Sequence, residues 1–225
     1  MMYRYQLHTH TTPCSRCAKM TPEELCLALH EGGYAGAVLT NHFRGGNTGI
    51  DRALPWQEFV AAYEADYLAC REAAKQYDLD ILFGIEEGFA GLELLTYGLT
   101  PELLYAHSEL RGRDILEWAR VMRECGVVVI QAHPYRVRSY IRVPGPIPLD
   151  QIDGIEVYNY GNYEEENRLA AELAAAHPEL ILTSGADTHE AGTVARDGIA
   201  CPHRIRTEAE LAAVLRARDY SLIFG

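Results

Sequence analysis

Short apolar runs alternate with amphipathic helical stretches along this chain, and that alternation limits the fold more than any other feature. Tyr3 to Leu7, Ala35 to Thr40, Asp80 to Glu87, Leu92 to Thr96, Val127 to Gln131, Gly154 to Tyr158, Leu180 to Thr183 and Tyr220 to Ile223 read as strands. Between them, Thr21-Pro22-Glu23-Glu24 has the form of a capping box and starts a helix that runs to Gly32-Gly33. Pro55 opens a long helix to about Gln76 that keeps Phe59, Tyr63 and Tyr67 on one side. Asp114 to Cys125 reads as a helix stopped by Gly126, Glu164 to Ala176 as another, and Thr207 with Glu210 caps a last one. Near-continuous apolar strands separated by helices predict a mainly parallel sheet with outer helices. About seven such units favour a closed or nearly closed α/β barrel over an open sheet. In such a barrel the reactive residues sit at the C-terminal ends of the strands.

Residues that bind metals fall at those ends. His8 and His10 are one residue apart at the end of the first strand, so both side chains leave the same face. His42, Glu86, His133, Asp187 and His189 follow four further predicted strands. Imidazole and carboxylate suit zinc, manganese or iron, and seven donors exceed the needs of one tetrahedral ion, so a site for more than one divalent ion is expected. Taken singly, each has a local explanation: His42 as a carbonyl donor, His133 before Pro134 as a turn, Asp187 and His189 as loop caps, Glu86 and Glu87 as a solvated strand end. Their joint placement favours the metal reading. His30, His107 and His177 fall on predicted helices or their ends and are left out, and His203 stays open.

The 225 residues suffice for one sizeable core with no linker or repeat, so residues 1–225 are expected to form a single domain. With 32 acidic against 20 basic residues the net charge is -12. No run of Lys or Arg would track a phosphate backbone, which argues against a long nucleic-acid partner and leaves small anionic substrates open. There is no leader-like segment and no membrane-length apolar run, and the six scattered cysteines lack the density of a disulfide framework. A cytoplasmic location with reduced thiols is therefore expected. Cys14-x-x-Cys17 lies in a loop between Pro13 and the Thr21 cap, against a redox motif that opens a helix; it reads as a border to the metal site or as two inert thiols. Nothing in the sequence speaks to oligomeric state.

Five ordered motifs, Leu7-His-Thr-His10, Thr40-Asn-His42, Gly84-Ile-Glu86, Ala132-His-Pro134 and Gly185-Ala-Asp-Thr-His189, resemble the metal-binding motifs of the PHP family, named for polymerase and histidinol phosphatase. The resemblance spans nearly the whole chain. It implies a distorted seven-stranded β/α barrel, two or three metal ions and hydrolysis of phosphoesters. By position it places His8, His10, Glu86 and Asp187 on a first ion, with Glu86 bridging to a second held by His133, while His42 and His189 serve a third. The chain departs from the pattern at Asn41, where the family has Asp. Ser15, Arg16 and Cys17 stand where a further acidic or His ligand is expected, and Leu94 to Gly98 lacks the family's extra His. At the first of these places either Cys17 supplies a thiolate or the third position is weak.

The function so implied is hydrolysis of a small phosphomonoester or nucleotide by a hydroxide formed between the ions, with His8, His10, Glu86, His133, Asp187 and His189 as the catalytic set. Arg supplies bidentate contacts to phosphate. Arg136, Arg138 and Arg142 after the His133 strand, and Arg196 after Asp187, are the expected substrate-binding residues, with Arg44 behind them. Two other readings stay open: a metal-binding regulatory or interaction module without turnover, and a metal-dependent amide or lactone hydrolase.

Overall fold

The computed structural model describes residues 2–139, 141, 145–194 and 196–225. Strands run β1 Tyr3–Thr9, β2 Gly36–Leu39, β3 Asp80–Phe83, β4 Ile85–Phe89, β5 Leu92–Tyr97, β6 Val128–Gln131, β7 Gly154–Asn159, β8 Ile181–Gly185, β9 Gly198–Cys201 and β10 Ser221–Ile223. Helices are α1 Pro22–Glu31, α2 Trp56–Ala74, α3 Pro101–Ala106, α4 Ile115–Glu124, α5 Glu164–Ala176 and α6 Glu208–Ala217. Thr21 and Glu24 close the expected box at the start of α1, the Glu24 amide donating to Thr21 Oγ1 and Glu24 accepting from the Thr21 amide.

The strands do not form the expected (β/α)7 barrel. They make two five-stranded sheets, ordered β10-β9-β1-β2-β3 and β4-β5-β6-β7-β8. Nor are these mainly parallel: β1/β2, β2/β3, β6/β7 and β7/β8 are parallel, whereas β1/β9, β9/β10, β4/β5 and β5/β6 are antiparallel.

Local chemistry explains the departure. The run Asp80 to Glu87 breaks at Gly84, where a Cβ would lie 2.7 Å from Val38 Cγ1 and 2.8 Å from Thr96 O. Only glycine passes there, and the chain crosses from one sheet to the other. Ala90 and Gly91, both at positive φ, then turn β4 back on β5 as a hairpin. Gly198, at φ +116, lets β9 lie antiparallel beside β1, where a Cβ would stand 2.1 Å from Tyr5 O. Isolated bridges, Thr9 with Thr188 and His42 with Glu86, connect the two sheets near the site.

One buried cluster, including Tyr5, Leu7, Val38, Leu82, Leu95, Tyr97 and Ile130, draws on strands of both sheets. The Tyr97 hydroxyl donates to Leu7 O across it. A second cluster seats α2 on β2 and β3 through Phe43, Phe59, Tyr63 and Phe83 in edge-to-face contact. Each such side chain contributes about 1.5–3 kcal/mol on burial. This packing fixes the strand ends that carry the polar residues. Among the described residues no helix is long and apolar enough to cross a membrane.

Candidate metal centre

His8, at the end of β1, and Glu86, in β4, face each other with His8 Nε2 3.1 Å from Glu86 Oε1. His10 Nε2 lies 3.0 Å from Asp187 Oδ1 and 3.5 Å from Glu86 Oε2. His42 Nδ1 is 2.7 Å from Glu86 Oε2, and His133 Nε2 is 3.5 Å from Glu86 Oε1. His189 Nδ1 lies 3.4 Å from Asp187 Oδ1. The seven residues singled out as ligands thus meet around one space, with Glu86 at its centre. His133 and Asp187 reach it with φ of +29° and +53°. Such backbone costs about 1–3 kcal/mol per residue and persists where the surroundings hold it.

Partners behind the ligands set their tautomers. Glu156 in β7, buried and opposite β8, takes His8 Nδ1 at 2.9 Å, and its other oxygen accepts from the His133 amide and Asn159 Nδ2. The proton of His8 therefore sits on Nδ1 and its Nε2 lone pair points at Glu86 and Asp187. Ser15 Oγ donates to Asn41 Oδ1, so its oxygen accepts from His10 Nδ1, and His10 Nε2 is likewise the free nitrogen. Asn41 is held in turn by Thr11 and Asp66. From the position where the family has Asp, its Oδ1 accepts from Ser15 Oγ and the Thr11 amide.

The donor set fits divalent cations. His8 Nε2, His10 Nε2, His42 Nδ1, both Glu86 oxygens, His133 Nε2 and Asp187 Oδ1 are buried and have no hydrogen-bond partner. Most buried polar atoms in proteins are paired, and outside this cluster only Arg44 Nη1, Thr183 Oγ1 and Asp197 Oδ2 lack a partner among the described side chains. Ligands bonded to one ion at about 2.0–2.3 Å stand roughly 3 Å apart, the spacing observed here. Three overlapping sets have suitable spacing: His8, His10, Glu86 and Asp187; His42, Glu86 and Glu93; and His10, His42 and His189.

Charge argues the same way. Burial opposes protonation of His8, but Glu156, Glu86 and Asp187 outweigh it and hold its pKa well above the usual range. Burial, with Glu86 beside it, pushes Glu93 up to about 8. Without an ion, the site draws in protons to offset its carboxylates.

Two carboxylates escaped the sequence reading. Glu93, second residue of β5, lies 3.4 Å from His133 Nε2 and 3.9 Å from His42 Nδ1, near where the family's extra His was sought. Glu156 was missed in the same way. Their signal was an acidic residue inside an apolar strand, which also describes a strand with one solvated face.

The arginines separate. Buried Arg136 binds Asp187 through Nη1 and Asn159 and Asn162 through Nη2 and Nε, and it lines a cleft of about 780 Å³ beside His42, Glu93, Asp187 and His189. Arg138 turns away: it pairs with Glu166 at 2.7 Å and stacks on Tyr163. Arg196 is exposed over the ring of Tyr160. Arg44 lies over Phe59 and donates to Arg52 O, outside the cleft wall. Arg142 lies outside the described residues.

No protein-family model matches the chain, and no curated protein does. Solved structures do. Over its whole length the chain superposes on a two-domain Bacteroides vulgatus protein described as containing a predicted PHP-like metal-dependent phosphoesterase, with a TM-score of 0.72 and 16% identity, spanning 65% of that protein. It superposes equally fully on PsfC of Pseudomonas syringae, with a TM-score of 0.69, 16% identity and 92% of PsfC covered. The lesion-specific endonuclease EndoQ of Pyrococcus furiosus matches 99% of the chain with a TM-score of 0.65 and 12% identity, over 58% of its own length. The chain therefore has the fold of the PHP-like metal-dependent phosphoesterases, the family that its motifs resemble.

Proposed function

We propose that this protein is a metal-dependent phosphoesterase acting on a small phosphomonoester or a nucleotide. The observation that carries this reading is the set of buried, unpartnered ligand atoms of His8, His10, His42, Glu86, His133 and Asp187 turned toward one another beside an open cleft. In this reading His8, His10, Glu86 and Asp187 would hold one ion, and His133 with Glu93 would serve a second. When bound, zinc, manganese or iron supplies a Lewis acid and lowers the pKa of water to near neutrality. Arg136 keeps Asp187 in register and presents positive charge to the cleft wall. His189 lies on that wall with its Nδ1 tied to Asp187 O, and a water in the cleft is the proton donor to the leaving oxygen. A cleft of about 780 Å³ matches a metabolite-sized ligand.

Phosphate release from a panel of phosphorylated metabolites and nucleotides, with manganese or zinc added, tests the reading. Metal-dependent release that Asp187→Asn abolishes is expected. A fully metal-loaded protein that releases phosphate from none of them overturns it. An oligonucleotide belongs in the panel because EndoQ shares the fold, and cleavage confined to it would move the substrate class.

A further inference from the structure

Cys17 remains unexplained by the ligand set above. It lies in the loop after β1, partly buried, on the wall of the cleft. Its Sγ is 3.1 Å from His42 Nε2 and 3.0 Å from His189 Nε2, so two imidazoles from different strand ends converge on one sulfur. The far side of the His189 ring is occupied. His189 Nδ1 donates to Asp187 O at 2.6 Å, which leaves its Nε2 as the lone-pair nitrogen. His42 Nδ1 faces Glu86 Oε2 at 2.7 Å.

His189 Nε2 therefore meets the sulfur as a lone pair, and His42, whose Nδ1 has no hydrogen-bond partner, presents Nε2 to the same sulfur in the tautomer that keeps its proton on Nδ1. Fully buried His10 lies against both rings, with centroids 4.4 Å from His42 and 4.3 Å from His189, and its Nε2 has no hydrogen-bond partner. His10, His42 and His189 by themselves have metal-ligand spacing.

We propose that Cys17 is a thiolate ligand that joins His42 and His189 around an ion at the mouth of the cleft, giving this protein one soft metal position beside the harder one at His8, His10, Glu86 and Asp187. The inference rests on the metal-centre reading above and deepens it. Thiolate and imidazole select zinc, ferrous iron or cobalt, whereas a carboxylate in the same place accepts manganese and magnesium. Binding releases the Cys17 proton to solvent, so no oxidant or reductant takes part. An accessible thiolate is also open to oxidation, which would remove this ligand and spare the carboxylate-rich position.

Cobalt provides the readout, because thiolate ligation adds a sulfur-to-cobalt charge-transfer band that nitrogen and oxygen ligands do not give. The apo protein is titrated with Co2+ alone, and absorbance, bound cobalt and thermal unfolding are recorded for wild type, Cys17→Ser, Cys17→Asp and Cys14→Ser. Wild type and Cys14→Ser should show the band; Cys17→Ser should lose it and about one equivalent of cobalt while still unfolding cooperatively. Cys17→Asp should regain the equivalent without the band, and its preference for zinc over manganese should fall by roughly 10-fold or more. Cobalt bound to wild type without the band, the band surviving in Cys17→Ser, or no cobalt bound at all would overturn the proposal. Phosphate release by the same samples separates the two readings: turnover without the band defeats the thiolate ligand alone, and the band without turnover defeats the phosphoesterase alone.

Discussion

Replacing Glu156 by Gln should weaken metal binding although Glu156 faces no ion. Its carboxylate is buried and only accepts: His8 Nδ1 at 2.9 Å on one oxygen, the His133 amide at 3.1 Å and Asn159 Nδ2 at 2.8 Å on the other. A carboxamide has one accepting end. If its oxygen stays on His8, its NH2 meets two donors; if it flips, the NH2 meets His8 Nδ1 and drives the proton to Nε2, where the lone pair should face the ion. Each buried donor left unpaired costs about 1–3 kcal/mol. For a chain of this size that is a fall in Tm of about 2–4 °C per kcal/mol. Loss of such an orienting partner typically weakens metal affinity about 10–100-fold, or roughly 1.4–2.8 kcal/mol. Competition with a chromophoric chelator measures the zinc affinity, and a melt of the metal-free protein measures the fold. A Glu156→Gln affinity within about twofold of wild type would refute the idea that this carboxylate sets the His8 tautomer.

Gly185→Ala should have a similar effect from the other side, because its Cβ would sit 1.9 Å from Glu156 Oε1 and 2.8 Å from His8 Cβ; calorimetric zinc binding checks this, and unchanged affinity would count against it. Removing the ions should lower stability by about 2.7 kcal/mol where free metal exceeds Kd a hundredfold, a Tm shift of about 5–10 °C; an unchanged Tm after chelation would argue against bound metal. Asp197 is buried against Gln6, and burial, reinforced by Glu156, raises its pKa well above the usual 3.8. The folded state keeps this proton longer than the unfolded one, so its contribution to stability is full below pH 3.8 and lost as pH rises through the raised pKa. Urea unfolding of the apo protein across that range should show a shallower decline with pH for Asp197→Asn than for wild type, and parallel curves would refute this.

Much of the candidate site could be read from residue order because the histidines and carboxylates that converge there sit where apolar runs end, a position visible without knowing which strand pairs with which. Strand direction was not visible in this way. Apolar character marks Asp80–Phe83 and Ile85–Phe89 alike, but the crossing at Gly84 depends on the approach of Val38 and Thr96, remote in sequence. β9, four residues of Gly-Ile-Ala-Cys, is too short to announce itself, yet it supplies the antiparallel edge beside β1. The arginines show the same limit. Arg136 and Arg138 are two residues apart, and only their partners, Asp187 for one and Glu166 for the other, decide which faces the cleft.

The split into two sheets bears on how the molecule opens. His8, His10 and His42 ride on one sheet and Glu86, Glu93 and His133 on the other, so a shared ion would act as a rivet through the seam between them. The isolated bridges at Thr9 and His42 lie along that seam. Stripping the metal should therefore speed amide exchange there first, as the two halves breathe apart while each keeps its own ladders.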